Sequence, residues 1–322
     1  MKLFHSLLYP LLGGLFCLSC SDDEQDSGTK QPTTAGEVTF GVDLTGFSTR
    51  VTQDGSSWND GDKIGTYVLD MKTLEPVTEA ANVHYVCSEE GASVSFTSTT
   101  PLKVQNDGTP VKFVAYYPYN ADVRNFNYPV QLAAQERGST ACDLLYAATK
   151  EEYTYSPENE PHISLNFTHR LAKVILKFVN MEKEPLEVSD VRIEGMQTAA
   201  SFNIQTDVLT VDESSVATIN PYHNATTGFY EAIILPSALT DSYKVSFVLD
   251  DREKEWIFTN LDIALPQFHK GYSYTFALYI DDSGFVEMGR LENVEGGNSS
   301  APWEDGSSED GPAVGAKTPV SG

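Results

Sequence analysis

Short segments in which apolar and polar residues alternate run through most of the chain, and they limit the folds open to it. The first has its apolar positions at Val38, Phe40, Val42 and Leu44. A period of two is that of a β-strand with one buried face. Turn-forming pairs such as Asp54-Gly55 and Asp60-Gly61 separate the segments, and no long stretch keeps a helical period. The sequence therefore predicts an all-β fold.

The number and spacing of these segments predict how the chain divides into domains. After the first, predicted strands cover 64–69, 83–87, 92–97, 111–117, 163–167, 171–179, 186–193, 201–204, 208–211, 229–235, 243–249, 255–258 and 272–280. Short strands at near-regular spacing are typical of β-sandwiches. The length exceeds what one sandwich uses, so we predict two in tandem, 37–157 and 158–300, followed by a polar tail, 301–322.

The first twenty residues have the form of an export signal. Lys2 precedes an apolar run, 7–18, which is too short to span a bilayer and ends at Ser19-Cys20. A cysteine at the cleavage point predicts a bacterial lipoprotein signal, 1–19, with Cys20 lipidated as the first mature residue. The alternative is an ordinary secretory signal in which Cys20 is incidental. Residues 20–36 are polar and acidic, so we expect a flexible tether.

The charge of the chain excludes one class of partner. It has 46 acidic and 21 basic side chains, which gives a formal net charge of −25. Such a chain repels phosphate backbones, so no nucleic-acid partner is expected.

Reactive groups do not converge in the sequence. The histidines lack the spacing of metal ligands, no Cys-x-x-Cys follows Cys20, and no nucleophile elbow or phosphate loop occurs. His169 is expected to be a hydrogen-bonded structural residue, and residues 59–62 a turn rather than a calcium loop. Cys87 and Cys142 either form a disulfide or stay buried as thiols. We expect no enzyme activity, no catalytic residue, no cofactor and no metal site.

Five motifs in a fixed order cover most of the chain beyond the tether. They are WNDGDKIGTY at 58–67, FVAYYPY at 113–119, DLLYA at 143–147, LNFTHRLAKV at 165–174 and GYSY at 271–274. Together they resemble the fimbrillin family, the Mfa-like lipoprotein subunits of type V pili. The resemblance implies two transthyretin-like β-sandwich domains in tandem and a structural or accessory subunit of surface fimbriae that supports adhesion.

The resemblance also implies a route of assembly. A lipidated precursor reaches the outer membrane, an arginine-specific protease removes the first strand, and a terminal segment of a neighbouring subunit fills the groove. Here the removable strand would contain Val38, Phe40, Val42 and Leu44, and the cut would follow Arg50. The implied partners are other fimbrial subunits, identical or homologous, the outer membrane through the lipid anchor, and a host or bacterial surface ligand.

Two points stay open in the sequence. The tail offers few large apolar residues to donate as a strand, so the donating segment and a stalk, tip or anchor position are undecided. The alternative function is a monomeric surface lipoprotein that binds host or dietary glycans through the tyrosines of the segment 116–119 and through Tyr153 and Tyr155.

Overall fold

The structure, a computed structural model, describes residues 35–42, 58–78, 81–91, 94–135, 142–158, 160–181, 186–261, 263–280, 289–292, 304–305 and 315–316. Within these ranges the chain forms strands and no α-helix, which confirms the all-β prediction. Cys20, Leu44 and Arg50 lie outside the described residues. No helix in the described part is long and apolar enough to cross a membrane.

Eleven of the described strands precede residue 170. They are β1 (Ala35–Glu37), β2 (Thr39–Val42), β3 (Lys63–Asp70), β4 (Val83–Cys87), β5 (Val94–Thr97), β6 (Lys103–Gln105), β7 (Val111–Tyr117), β8 (Asn127–Gln131), β9 (Leu145–Ala148), β10 (His162–Ser164) and β11 (Thr168–His169). Eight of them form the largest sheet, in the order β10-β2-β5-β4-β3-β7-β9-β11. Its neighbours are antiparallel except β2 and β10, which run parallel.

The remaining described strands build the second half. They are β12 (Ala172–Asn180), β13 (Val188–Glu194), β14 (Ala199–Asn203), β15 (Val208–Val211), β16 (Tyr222–Asn224), β17 (Phe229–Ile234), β18 (Ser237–Ala238), β19 (Lys244–Leu249), β20 (Arg252–Ile257), β21 (Ile263–Ala264), β22 (Gln267–Phe268), β23 (Tyr272–Ile280), β24 (Gly289–Glu292), β25 (Glu304–Asp305) and β26 (Gly315–Ala316). The main sheet has the order β16-β17-β12-β23-β24, with β25 also on β23, and a second sheet has the order β13-β19-β20.

Three hydrophobic clusters fill the described fold. One lies within the first half and one within the second. The third draws residues from both, such as Tyr67 and Val114 with Phe202 and Ile233. Strand β8 pairs with β14, and β10 joins the first sheet, so strand pairing crosses the predicted boundary between 157 and 158. Two tandem transthyretin-like sandwiches with that boundary stay a prediction.

Candidate functional site

The residues from Ala35 to Val42, here called the first-strand segment, connect two sheets. Its first three residues pair with β6 as β1. Val38 then donates its backbone N–H to the carbonyl of Leu102 at 2.9 Å. The last four residues, β2, lie between β5 on one side and β10 on the other. The segment predicted to be removable is thus hydrogen-bonded along both edges.

One face of the first-strand segment is buried, as the alternation predicts. Val38 and Phe40 are 0% exposed and Val42 is 2% exposed. The ring of Phe40 meets those of Tyr85 and Phe113 edge to face, with centroids 4.8 and 5.9 Å away. Burying each such side chain contributes about 1.5–3 kcal/mol, so the segment adds a substantial part of the stability of this half.

Tyr85 stabilises the first-strand segment at Val38, between β1 and β2. Its buried hydroxyl donates to the carbonyl of Val38 at 3.0 Å and accepts from the N–H of Leu102 at 2.8 Å. Burial raises the pKa of Tyr85 to about 12, although the Leu102 hydrogen bond lowers it. The neutral hydroxyl therefore satisfies two backbone groups that would otherwise lack partners.

Replacing Tyr85 by Phe should destabilise the protein by about 1–3 kcal/mol, because it leaves a buried carbonyl and a buried N–H unsatisfied. The folded pKa lies above the ordinary value of 10.0, so this stabilisation is complete below about pH 10 and falls as the pH rises towards 12. Urea unfolding at several pH values measures both effects. Tyr128→Phe is the control, since no hydrogen bond to the Tyr128 hydroxyl is seen among the described residues. Equal stabilities of wild type and Tyr85→Phe at neutral pH would contradict the assignment.

His162 of β10 lies close to the face of the first-strand segment that points away from the core. The hydroxyl of Thr39 is 3.1 Å from His162 Nδ1. A Cβ at Gly41 would lie 2.5 Å from His162 Nε2, so glycine lets the ring approach the strand. Lys103 and Glu37 form an ion pair at 3.3 Å, but both side chains are more than half exposed, so it adds little stability.

Trp58 is the first described residue after the segment, and it packs beside both strands that border β2. It is 0% exposed. Its ring lies 5.0 Å from that of Phe96 in β5 and 5.5 Å from that of Phe167, just after β10. The ring of Tyr117 is 5.4 Å away. Sequence reasoning found Trp58 only as part of a motif and missed Tyr85, because a strand tyrosine resembles any other core residue.

Other residues singled out in the sequence have structural roles. His169 Nδ1 lies 3.0 Å from Asp143 Oδ1, and both residues are buried, as a hydrogen-bonded structural histidine requires. Asp62 accepts a hydrogen bond from the N–H of Asn59 at 2.7 Å, which makes residues 59–62 a turn. Cys87 and Cys142 are both free thiols. In the described ranges no three His, Cys, Asp or Glu side chains gather as a metal site would need.

The tyrosines considered for glycan binding lie mostly in the core. Tyr116 is 0% and Tyr117 8% exposed. Tyr153 and Tyr155 are partly buried against the cluster of the first half. Tyr119 is half-buried and lines a surface cleft.

Comparison with known proteins identifies relatives of this fold. A family model described as fimbrillin-like matches residues 49–303. A solved structure of a candidate cell adhesion protein from Bacteroides uniformis is 21% identical, with a TM-score of 0.65 over 80% of this chain and 97% of that one. Another candidate cell adhesion protein, from Bacteroides ovatus, is 15% identical, with a TM-score of 0.62 over 81% of this chain and 98% of its own. No match was found among curated proteins.

Proposed function

The chain belongs to the fimbrillin-like family, and on this premise we propose that it is a structural or accessory subunit of surface fimbriae that supports adhesion and assembles by donor-strand exchange. The observation that carries the proposal is the first-strand segment. It is a short N-terminal stretch, hydrogen-bonded on both edges and buried on one face. Its removal would affect both sheets that it connects, because β6 would lose β1 and because β5 and β10 would no longer be joined through β2.

Removal of the segment would leave a defined acceptor groove. Strand β10 would lose its pairing with β2, and β5 would keep only its pairing with β4. The rings of Tyr85 and Phe113 would lose the cover of Phe40. Unpaired strand edges beside an apolar cleft attract another strand. A donor from a second subunit would need large apolar residues at alternating positions to replace Val38, Phe40 and Val42.

The remaining parts of the proposal concern export and processing. The signal, 1–19, would direct the chain to the outer membrane with a lipid on Cys20, and residues 20–36 would act as the tether. A cut after Arg50 would release the first-strand segment together with the tether. The partners would be other fimbrial subunits, and the subunit would have no enzyme activity of its own.

Sequencing the N-terminus of polymerised surface protein tests this route directly. Material beginning at Val51 is expected from wild type, whereas Arg50→Ala should accumulate as a lipidated precursor without filaments. Arg50 is the only basic residue between Lys30 and Lys63, so Lys30→Ala is the matched control and should be processed normally. An intact lipidated start on polymerised protein would rule the cut out.

Immunoelectron microscopy of cells that overproduce the chain separates this proposal from the alternative. Labelled filaments favour a fimbrial subunit. Diffuse label over the cell surface, together with binding to a glycan array, favours a monomeric surface lipoprotein that binds glycans.

A further inference from the structure

A cleft of about 430 Å³ opens on the first half of the described fold, away from the first-strand segment. Its lining includes Tyr67, Asn82, Tyr119, Arg124 and Phe126. This volume falls in the range of small-molecule sites, which combine aromatic walls with a few polar groups.

Aromatic rings form much of the wall. The rings of Tyr67 and Phe126 are tilted against each other with centroids 4.7 Å apart. The ring of Tyr119 lies 5.3 Å from that of His84. The rings of Phe126 and Tyr119 are half-exposed and offer apolar faces, against which the C–H faces of a sugar ring can stack.

The hydroxyl of Tyr67 is a hydrogen-bond donor without an acceptor in the described protein. Tyr67 is 4% exposed, and no described residue bonds its hydroxyl. Burial raises the pKa of Tyr67 to about 12, with nearby Tyr119 raising and Arg124 lowering it. The hydroxyl is therefore neutral and able to donate. It is not one of the fully buried polar atoms without a partner, so it is open to the cleft that Tyr67 lines and can reach a ligand there.

Arg124 adds a positive charge that no described carboxylate neutralises. Its Nη1 donates to the carbonyls of Ala121 at 2.7 Å and Val123 at 2.9 Å, which holds the guanidinium against its own loop. The other guanidinium N–H groups are available to a ligand. Asn82 is committed elsewhere, since its amide bonds Tyr116 and the carbonyl of Asn120.

The charge of the lining differs from that of the chain as a whole. Acidic side chains outnumber basic ones by 46 to 21, yet neither Asp nor Glu lines the cleft. A ligand with acceptor oxygens, a negative charge and apolar faces would therefore match this lining.

Backbone strain marks the turn that carries Arg124 and Phe126. Asn125 and Phe126 have φ values of 50° and 62°, and the N–H of Asn127 bonds the carbonyl of Arg124 at 3.0 Å. Two left-handed residues in a two-residue hairpin are typical of a type I′ turn, where the second is usually glycine. A phenylalanine is costly in that conformation, and here its ring forms a wall of the cleft.

We propose that this cleft binds a carboxylate-bearing pyranose, such as a hexuronic acid residue of a surface glycan. The sugar ring lies against Phe126 and Tyr119, its carboxylate pairs with Arg124, and a ring oxygen or hydroxyl accepts from Tyr67. The inference deepens the adhesive part of the proposed function and rests on it.

Calorimetric titration of the purified full chain with methyl glucuronide and methyl glucoside tests the site. The glucuronide should bind about tenfold more tightly, because a charge-assisted hydrogen bond to Arg124 is made only with the carboxylate. Arg124→Gln should abolish this preference, and Tyr67→Phe should weaken glucuronide binding several-fold. Tyr128→Phe is the matched control and should bind like wild type.

Several outcomes would overturn the site. The first is that wild type does not bind the glucuronide at millimolar concentration, and the second is that it binds both sugars equally. The third is that Arg124→Gln and Tyr67→Phe both bind the glucuronide like wild type while keeping the wild-type melting temperature. The titration uses the chain with its first strand in place, so its failure leaves fimbrial assembly untouched. A chain that binds the sugar but never forms filaments would overturn the fimbrial proposal alone.

Discussion

A chain that lacks residues 35–42 is expected to lose about 5 kcal/mol or more of unfolding free energy, and to regain most of it when a peptide with the sequence of residues 35–44 is added. The loss follows from the burial of Val38, Phe40 and Val42, each worth about 1.5–3 kcal/mol, and from the unpaired edges of β5 and β10. A typical domain has only about 5–15 kcal/mol in total. Urea unfolding with and without co-refolded peptide measures both effects.

Two peptide variants make the experiment specific to the pairing observed here. Phe40→Asp and Thr39→Asp add the same charge at neighbouring positions, but Phe40 faces the core and Thr39 is exposed. Only Phe40→Asp should abolish rescue. If the truncated chain is as stable as the full one and ignores the peptide, the groove does not exist and donor-strand exchange loses its basis.

A comparison of the predicted with the observed strand bounds shows how much an alternating pattern can predict. The predicted strands 83–87, 111–117, 208–211 and 272–280 coincide with those observed. Their apolar positions alternate clearly or run continuously between strong turn signals. The prediction missed β8, which contains Asn127 and Pro129, residues rare in strands. Strand β8 lies at the edge of its sheet, where a proline need not donate to the ladder.

Alternation indicates which face of a strand is buried, but not which strand lies beside it. The sequence therefore predicted the buried face of the first-strand segment at Val38, Phe40 and Val42, and the structure confirms it. It could not show that β2 runs parallel to β10, more than a hundred residues away, or that Tyr85 bonds the segment. The cleft lined by Tyr67 and Phe126 could not be predicted for the same reason, since only tertiary folding brings these two rings together.

Replacing Trp58 by Ala should cost about 3–5 kcal/mol of unfolding free energy, the usual range for an aromatic side chain lost from a core. Its ring contacts Phe96, Tyr117 and Phe167, and a cavity would open between them. Trp58→Phe should cost clearly less, because the Trp58 Nε1 atom makes no hydrogen bond within the described protein, and only part of the ring is lost. Thermal and urea unfolding of the two variants give the comparison.

Because of its position, Trp58 should affect both the stability of the fold and the proposed binding of a donor strand. It touches Phe96 in β5 and Phe167 just after β10, so it joins the two walls of the groove that removal of the first-strand segment would open. In the full chain β2 also connects β5 and β10 by hydrogen bonds. In a chain that begins at Val51, β2 is absent, so Trp58 supplies a larger share of the contacts between the two walls. Trp58→Ala should therefore destabilise the truncated chain more than the full one and weaken its binding of the peptide from residues 35–44. Equal losses in the two backgrounds, with unchanged peptide affinity, would show that Trp58 serves the core alone and not the groove.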